Sequence, residues 1–243
     1  MPRQKAERNK TDPLKPFLLE DETSIEIGID EAGKGPMFGR VYTSAVCLPR
    51  EEDNFNHSLM KDSKRFHSEK KINDAAEHIK SNALAWSVEY CTEGEIDTMN
   101  IRQATFKAMH RAIRNVIDSL EISIDNLDKI TLLVDGNDFR PIQITNADKT
   151  IVRTASHVCI EGGDNKYTAI AAGSILAKVS RDAYIKELVE SYPYLETNYG
   201  IGSNKGYGTR KHMDGIQEYG ITPWHRKTYG ICRGARMYIP NED

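Results

Sequence analysis

The chain has 243 residues, and the four cysteines among them are scattered. They stand at Cys47, Cys91, Cys159 and Cys232, and no two of them form a Cys-x-x-Cys pair. This spacing argues against a zinc knuckle and against a disulfide scaffold, and it is typical of a protein from a reducing compartment. We therefore expect a cytoplasmic protein.

Long apolar runs are also missing from the chain. No stretch approaches the roughly 20 apolar residues that a membrane-spanning helix needs, and the N-terminus lacks a signal-peptide core. Residues 1–22 are polar, basic and interrupted by proline, which predicts a flexible N-terminal arm. We expect no membrane partner and, by default, a monomer.

The sequence offers no P-loop and no assignable Ser-His-Asp or Cys-His nucleophile set. Four histidines, His67, His78, His110 and His157, are expected to be surface or packing residues rather than ligands.

Net charge is low, at −3, so the molecule as a whole is no polycation. Its distribution is uneven, because residues 203–236 carry seven Lys and Arg against two acidic residues. Such a basic edge suits a protein that binds nucleic acid. A solvated, charged tail is the other interpretation of the same charges.

Hydrophobic periodicity predicts an alternating α/β architecture. The strands are expected at residues 24–30, 41–48, 84–91, 130–134 and 150–160. The helices are expected from an N-cap at Ser68 to about 82, over 101–120 and over 169–191, with short helices after Pro193. The last long helix opens with small residues that could pack tightly on the sheet.

The segment Gly28-Ile29-Asp30-Glu31-Ala32-Gly33-Lys34-Gly35-Pro36 carries the strongest chemical signal. Adjacent carboxylates at the end of a strand repel each other unless a positive charge lies between them. A divalent cation such as Mg²⁺, which prefers oxygen ligands, supplies that charge. The Gly-Lys-Gly that follows lets the backbone approach a phosphate closely.

Further acids stand at places where they can meet the first pair. Asp135 follows a central apolar strand, and Asp164 precedes the long helix. Ligands at strand ends and at a helix entrance can converge although they are far apart in sequence. Asp30, Glu31, Asp135 and Asp164 could then hold two metal ions, which is the arrangement that phosphodiester hydrolysis needs.

Seven motifs in this order resemble ribonuclease HII, the type 2 ribonuclease H. They are Gly-Ile-Asp-Glu-Ala-Gly-Lys-Gly-Pro (28–36), Lys-Asp-Ser-Lys (61–64), Val-Asp-Gly-Asn (134–137), Gly-Gly-Asp (162–164), Ala-Ala-Gly-Ser-Ile-Leu-Ala-Lys-Val-Ser-Arg-Asp (171–182), Lys-Gly-Tyr-Gly-Thr (205–209) and Pro-Trp-His-Arg (223–226). The resemblance covers residues 25 to about 230.

The resemblance implies a ribonuclease H-like mixed five-stranded sheet flanked by helices, with a small helical C-terminal region. Residues 23–192 would form the catalytic core, and residues 193–243 would contact the substrate. The implied partners are RNA–DNA hybrids and DNA duplexes that contain ribonucleotides. The implied reaction uses two Mg²⁺ or Mn²⁺ ions, cleaves 5′ of embedded ribonucleotides and leaves 5′-phosphate and 3′-hydroxyl ends.

Position by position, the resemblance makes Asp30, Glu31, Asp135 and Asp164 the metal-binding catalytic quartet. Gly33, Lys34 and Gly35 match the loop that senses the ribose 2′-hydroxyl through backbone groups. Tyr207 matches the tyrosine that stacks on the deoxyribose after the ribonucleotide, and Lys64 is expected to contact phosphate.

Two departures from the family pattern matter. Gly-Lys-Gly replaces the Gly-Arg-Gly of ribonuclease HII and is the form found in ribonuclease HIII, whereas Asp-Glu-Ala and Tyr207 favour HII. The Asp135-to-Asp164 spacing is long, which predicts an inserted hairpin with a turn at 146–149 and leaves Asp148 and Asp182 as alternative fourth acids.

Two rival functions remain open at this point. One is a hybrid-binding protein without activity, and the other is a resolvase or transposase of similar fold. The presence of all four acids argues against the first, and the Gly-Lys-Gly and Lys-Gly-Tyr-Gly segments argue against the second.

Overall fold

A mixed five-stranded sheet lies at the centre of the computed structural model, which describes residues 13–50, 55–146 and 148–238. The strand order is β3-β2-β1-β4-β7. These strands are β1 (Ile25–Ala32), β2 (Val41–Cys47), β3 (Ala85–Cys91), β4 (Ile130–Asp135) and β7 (Ser156–Ile160), while β5 (Gln143–Thr145) and β6 (Val152–Thr154) form a separate hairpin. The predicted sheet is confirmed.

The register of β1 and β4 decides where the acids lie. Strand β1 pairs antiparallel with β2 and parallel with β4, and Ile29 is level with Val134. Asp30 and Asp135, the residues that follow this pair, therefore lie side by side near the carboxyl ends of neighbouring parallel strands. In α/β folds the carboxyl ends of parallel strands are where ligands bind.

Helices cover both faces of the sheet. They are α1 (Glu69–Asn82), α2 (Glu93–Met99), α3 (Ile101–Ser119) and α4 (Thr168–Ser191) in the core, followed by α5 (Tyr194–Tyr199), α6 (Ile201–Asn204) and α7 (Arg210–Tyr219). The apolar side of α3 packs with Ile27 and Ile29 of β1 on one face. Helices α1 and α4 pack on the other face, around Val46.

The small residues of α4 bring that helix very close to β1, as predicted. A Cβ atom added at Gly28 would lie 2.1 Å from the carbonyl carbon of Ala169. One added at Gly173 would lie 3.3 Å from the backbone nitrogen of Asp30. This close approach places the helix directly against the acidic end of the central strand.

The C-terminal helices share a hydrophobic cluster with the core. Leu195, Tyr199 and Ile216 are buried together with Phe38, from the connection between β1 and β2, and Tyr184 of α4. The Lys-Gly-Tyr-Gly segment between α6 and α7 is thereby held beside the sheet edge that carries the acids.

Three predictions about local structure are refined by the structure. The expected strand 150–160 is two strands that separate at the buried Ala155, because the chain leaves the β5–β6 hairpin there and joins β4. The predicted hairpin is present. Ser68 is the N-cap residue of α1, but its side chain makes no capping hydrogen bond.

The predicted N-terminal arm lies partly outside the described residues. Residues 13–22 are docked on the core: Lys15 forms a β-bridge with Tyr167, and the N–H groups of Leu18 and Leu19 donate to the carboxylate of the buried Glu26. The prediction of a flexible arm covers residues 1–22; these contacts tie Lys15, Leu18 and Leu19 to the core, and residues 1–12 lie outside the described residues. Among the described residues, no helix is both long and apolar enough to cross a membrane.

Candidate active site

A cleft of about 270 Å³ opens at the sheet edge where β1 and β4 end. Eight of the nine predicted site residues line it: Asp30, Glu31, Gly33, Lys34, Gly35, Lys64, Asp135 and Tyr207. The ninth, Asp164, lies beside it. Sequence reasoning missed other lining residues, and these stand in or next to the quoted motifs: Ser63, Ser174, Lys178, Arg181 and Lys205.

Asp30 is almost fully buried, with 4% of its surface exposed. One carboxylate oxygen accepts a 2.6 Å hydrogen bond from the N–H of Glu31, and the side chain of Ser174 also bonds to it. Burial, together with the negative charges of Glu31 and Asp135, raises the pKa of Asp30 well above its ordinary value. Its charged form therefore lacks compensation by the protein alone.

Asp135 and Asp164 meet through the short 3-10 helix Gly163–Asn165. The N–H of Gly163 donates to Asp135 Oδ1 at 2.7 Å, which ties the end of β4 to the residue before Asp164. Burial and the charges of Asp62 and Asp135 raise the pKa of Asp164. The two carboxylates thus belong to one electrostatic cluster, although Asp164 itself does not line the cleft.

Glu31 is engaged on one side only. Its Oε1 forms an ion pair with Lys34 Nζ at 2.8 Å. Its Oε2 is buried and has no hydrogen-bond partner among the described residues. A buried carboxylate oxygen without a partner is costly, and binding a cation would remove that cost.

The donor set fits a divalent metal, with one qualification of geometry. Among the described residues no three His, Cys, Asp or Glu side chains converge closely enough to hold a cation as they stand. Their oxygens are bonded to nearby N–H groups and to Lys34 instead. The backbones of Asp30 and Asp135 nevertheless lie side by side at one edge of the sheet. Oxygen donors in this number suit Mg²⁺ or Mn²⁺.

Lys64 is one of the cations that line this cleft, and it is the one whose pKa responds to four of the nearby carboxylates. Burial by itself would lower the pKa of Lys64, but the charges of Asp62, Asp164, Asp30 and Asp135 outweigh it and raise the pKa above its usual value. Asp62 also caps the 3-10 helix Ser63–Arg65 by accepting from the N–H of Lys64. Lys64 is therefore placed to meet both the carboxylates and an incoming phosphate.

The Gly33–Gly35 loop and Tyr207 form the opposite wall. The ring of Tyr207 is about half exposed and packs against Gly35, since a Cβ atom at Gly35 would lie 3.4 Å from its Cε1. Met37 N–H donates to the carbonyl of Gly206 and ties this loop to the Lys-Gly-Tyr-Gly segment.

The two alternative fourth acids are differently placed. Asp148 lies at the exposed hairpin turn, where it accepts hydrogen bonds from Thr150. Asp182 lines the cleft on α4 and is paired with Lys178 at 2.7 Å. Neither is among the charges that raise the pKa of Asp164, whereas Asp135 is, so the electrostatic cluster joins Asp164 to Asp135.

The predicted basic edge needs one correction. Arg226, counted among its seven cations, is completely buried. It is held by backbone carbonyls and cannot contribute to a solvent-facing basic surface.

Comparison with known proteins agrees with this geometry. The sequence model of ribonuclease HII matches residues 27–232. The chain is 42% identical over 218 residues to the ribonuclease HII of Phocaeicola vulgatus, covering 90% of this chain and 94% of that one. The chain belongs to the ribonuclease HII family.

Solved structures share the fold of this chain. Ribonuclease H2 from Pyrococcus horikoshii OT3 superposes with a TM-score of 0.63 at 22% identity, over 86% of this chain and 95% of that one. Bst-RNase HIII in complex with Mn²⁺ gives a TM-score of 0.58 at 15% identity, over 80% and 70% of the two chains. The resemblance and the ribonuclease H-like fold inferred from the motifs are both confirmed.

Family membership makes the chain a metal-dependent ribonuclease H. It also decides between types HII and HIII in favour of HII, although the loop has lysine where arginine is usual.

Proposed function

We propose that this protein cuts RNA–DNA hybrids and also nicks duplex DNA on the 5′ side of single embedded ribonucleotides. Hydrolysis with two Mg²⁺ or Mn²⁺ ions would leave 5′-phosphate and 3′-hydroxyl ends. The observation that supports this most is the meeting of Asp30, Glu31 and Asp135 with the Gly33–Gly35 loop and Tyr207 in one cleft.

The carboxylates have the role of holding the metal. Asp30, Glu31, Asp135 and Asp164 would supply its oxygen ligands. When bound, a metal pair supplies an activated water and neutralises the leaving oxygen. The uncompensated negative charge around Asp30 and the unpaired Glu31 Oε2 favour that assignment.

The remaining cleft residues have the role of holding and recognising the nucleic acid. Lys64 would contact a phosphate, and the backbone of Gly33, Lys34 and Gly35 would contact the ribose at the scissile linkage. Tyr207, whose ring is accessible beside that loop, would stack on the next sugar. The 2′-hydroxyl is what distinguishes the ribonucleotide from its DNA neighbours.

A substrate panel tests the proposal. The purified chain is incubated with a long hybrid, a duplex containing one ribonucleotide, the matching all-DNA duplex and a four-way DNA junction, with Mg²⁺ and Mn²⁺ in parallel. We expect cleavage of the first two alone, with a product that carries a 5′-phosphate. Cleavage of the four-way junction would favour a resolvase, and tight hybrid binding without cleavage would favour a non-catalytic binder. Size-exclusion chromatography of the same sample tests the proposed monomer.

A further inference from the structure

Two arginines from the Pro-Trp-His-Arg and Val-Ser-Arg-Asp motifs are buried beside the Gly-Lys-Gly loop. Arg226 is fully buried and Arg181 is 4% exposed. Neither forms a salt bridge with a carboxylate within the described ranges; both donate to backbone carbonyls instead. Buried guanidinium groups are expensive unless their donors are satisfied, so their placement points to a specific task.

Arg226 binds four carbonyl oxygens of one short segment. Its Nη2 donates to Gly33 at 2.6 Å, its Nη1 to Lys34 at 3.0 Å and to Pro36 at 2.7 Å, and its Nε to Gly39 at 2.8 Å. Loop residues 33–39 thus surround a single planar guanidinium group. Lysine, with its compact ammonium, could not reach all four oxygens.

Arg181 closes the loop from the other side. A Cβ atom at Gly33, whose φ is +93°, would lie 2.3 Å from Arg181 Nε. Arg181 Nη2 donates to the carbonyls of Phe38 and Lys205 at 3.2 and 2.8 Å, which joins the loop to the segment that carries Tyr207.

The direction of the loop amides follows from these bonds. All peptide bonds of the described chain are trans, and in a trans peptide the C=O and the N–H point in opposite directions. The carbonyls of Gly33 and Lys34 point inward to Arg226, so the N–H groups of Lys34 and Gly35 point outward. Neither N–H has an acceptor among the described residues, and both residues line the cleft.

We propose that Arg226 is the positioning residue for ribose recognition: by fixing the carbonyls of Gly33 and Lys34, it aims the N–H groups of Lys34 and Gly35 at the sugar of the scissile nucleotide. The inference rests on the proposed function, since it takes the ribose as the group in the cleft. The unneutralised charge of Arg226 and Arg181 beneath the loop also favours the adjoining phosphate.

Arg226→Lys tests the proposal, because it keeps the positive charge and removes the planar guanidinium group. An Asp135→Asn background prevents cleavage, and the affinity for a duplex with one ribonucleotide is compared with that for the same all-DNA duplex. We expect the preference for the ribonucleotide to fall about tenfold or more, because a small misplacement of positioning groups has effects of this size. The melting temperature is measured alongside.

Arg50→Lys is the matched control. Arg50 also donates to carbonyls, those of Ser24 and Leu19, but at the opposite end of β1. It should keep the full preference. If Arg226→Lys is folded and discriminates like the parent, the proposal is overturned. If the parent itself shows no preference, the proposed ribose recognition fails first, independently of Arg226.

A second variant covers the case in which Arg226→Lys does not fold. Tyr229→Phe removes only a hydroxyl that donates to the Lys34 carbonyl at 3.1 Å, in a solvent-exposed hydrogen bond made by a half-buried ring. A several-fold loss of the ribonucleotide preference supports carbonyl anchoring as the basis of recognition. An unchanged preference in this folded variant would overturn it.

Discussion

His212 Nε2 lies 3.0 Å from His225 Nε2 in the interior of the C-terminal region. The proton positions follow from the neighbours: Thr222 N–H can only donate, and it donates to His225 Nδ1 at 2.9 Å. His225 Nε2–H therefore donates to His212, and His212 Nδ1–H donates to the carbonyl of Tyr207 at 2.9 Å. Both rings are neutral in this network, which ends at the tyrosine proposed to contact substrate.

We predict that this histidine pair makes the protein acid-labile. Burial and the neighbouring His212 lower the pKa of His225 to about 3, and burial lowers that of His212 as well. Because both folded pKa values lie below the unfolded value of 6.5, the stabilisation is complete above pH 6.5 and is lost as the pH falls towards 3. The slope is at most about 1.4 kcal/mol per pH unit for each ring.

Thermal unfolding between pH 8 and pH 5 measures this effect. His225→Gln should lower the melting temperature at pH 8 but flatten its decline with acid, because one titrating ring is gone. His67→Gln, at an exposed histidine, should retain the wild-type slope. Equal slopes in wild type and His225→Gln would contradict the assignment.

A second prediction concerns the cost of the acidic cluster. Asp30→Asn should lower kcat/KM by more than about a hundredfold, since even partners of metal ligands cost ten- to a hundredfold. Without metal, the variant should be at least as stable as wild type, because the substitution removes a buried charge beside Glu31 and Asp135. Calorimetry in EDTA and in excess Mg²⁺ gives the stability without and with metal, and a cleavage assay gives kcat/KM.

Mg²⁺ should raise the melting temperature of wild type and leave that of Asp30→Asn nearly unchanged, as expected for a ligand that binds the folded state. Asp148→Asn is the matched control, since this acid lies at the exposed hairpin turn and should retain activity and the metal response. Loss of cleavage in Asp148→Asn would instead make Asp148 a candidate for the fourth metal-binding acid in place of Asp164.

Much of the fold and the placement of the acids could be predicted from the sequence. Asp30 and Asp135 follow apolar strands, and strands of this kind pair in parallel in α/β proteins, so their meeting follows from pattern alone. The capping box of α2, in which Thr92 and Glu95 bond reciprocally, corresponds to a Thr-x-x-Glu pattern in the sequence.

The buried polar residues could not be predicted in the same way. Arg226 and His212 look like surface residues in a basic segment, because charge along the chain says nothing of which distant carbonyls it will meet. Arg226 binds a loop about 190 positions away. Its position depends on tertiary contacts that no local pattern encodes.

Tyr207 provides a third prediction, on substrate choice. Tyr207→Ala should reduce nicking at a single ribonucleotide by about tenfold or more, which is in the range of one lost stacking contact. Cleavage of a long hybrid should suffer less, because many linkages offer alternative registers. Tyr207→Phe keeps the ring and should behave like wild type. Equal losses on both substrates in Tyr207→Ala would remove the proposed junction role.

The close packing of Gly28 in β1 against the backbone of α4 gives the last prediction. Gly28→Ala would place a Cβ atom 2.1 Å from the Ala169 carbonyl carbon and 2.5 Å from the Ile170 nitrogen, and backbone atoms on a packed helix cannot move aside. We expect a loss of about 3 kcal/mol or more in the free energy of unfolding. Gly94→Ala is the matched control, because nothing lies within 4 Å of its added Cβ and alanine favours the helix by up to about 1 kcal/mol. Urea unfolding of the two variants should therefore shift in opposite directions, and a Gly28→Ala protein as stable as wild type would mean that β1 and α4 are not in contact where Asp30 is positioned.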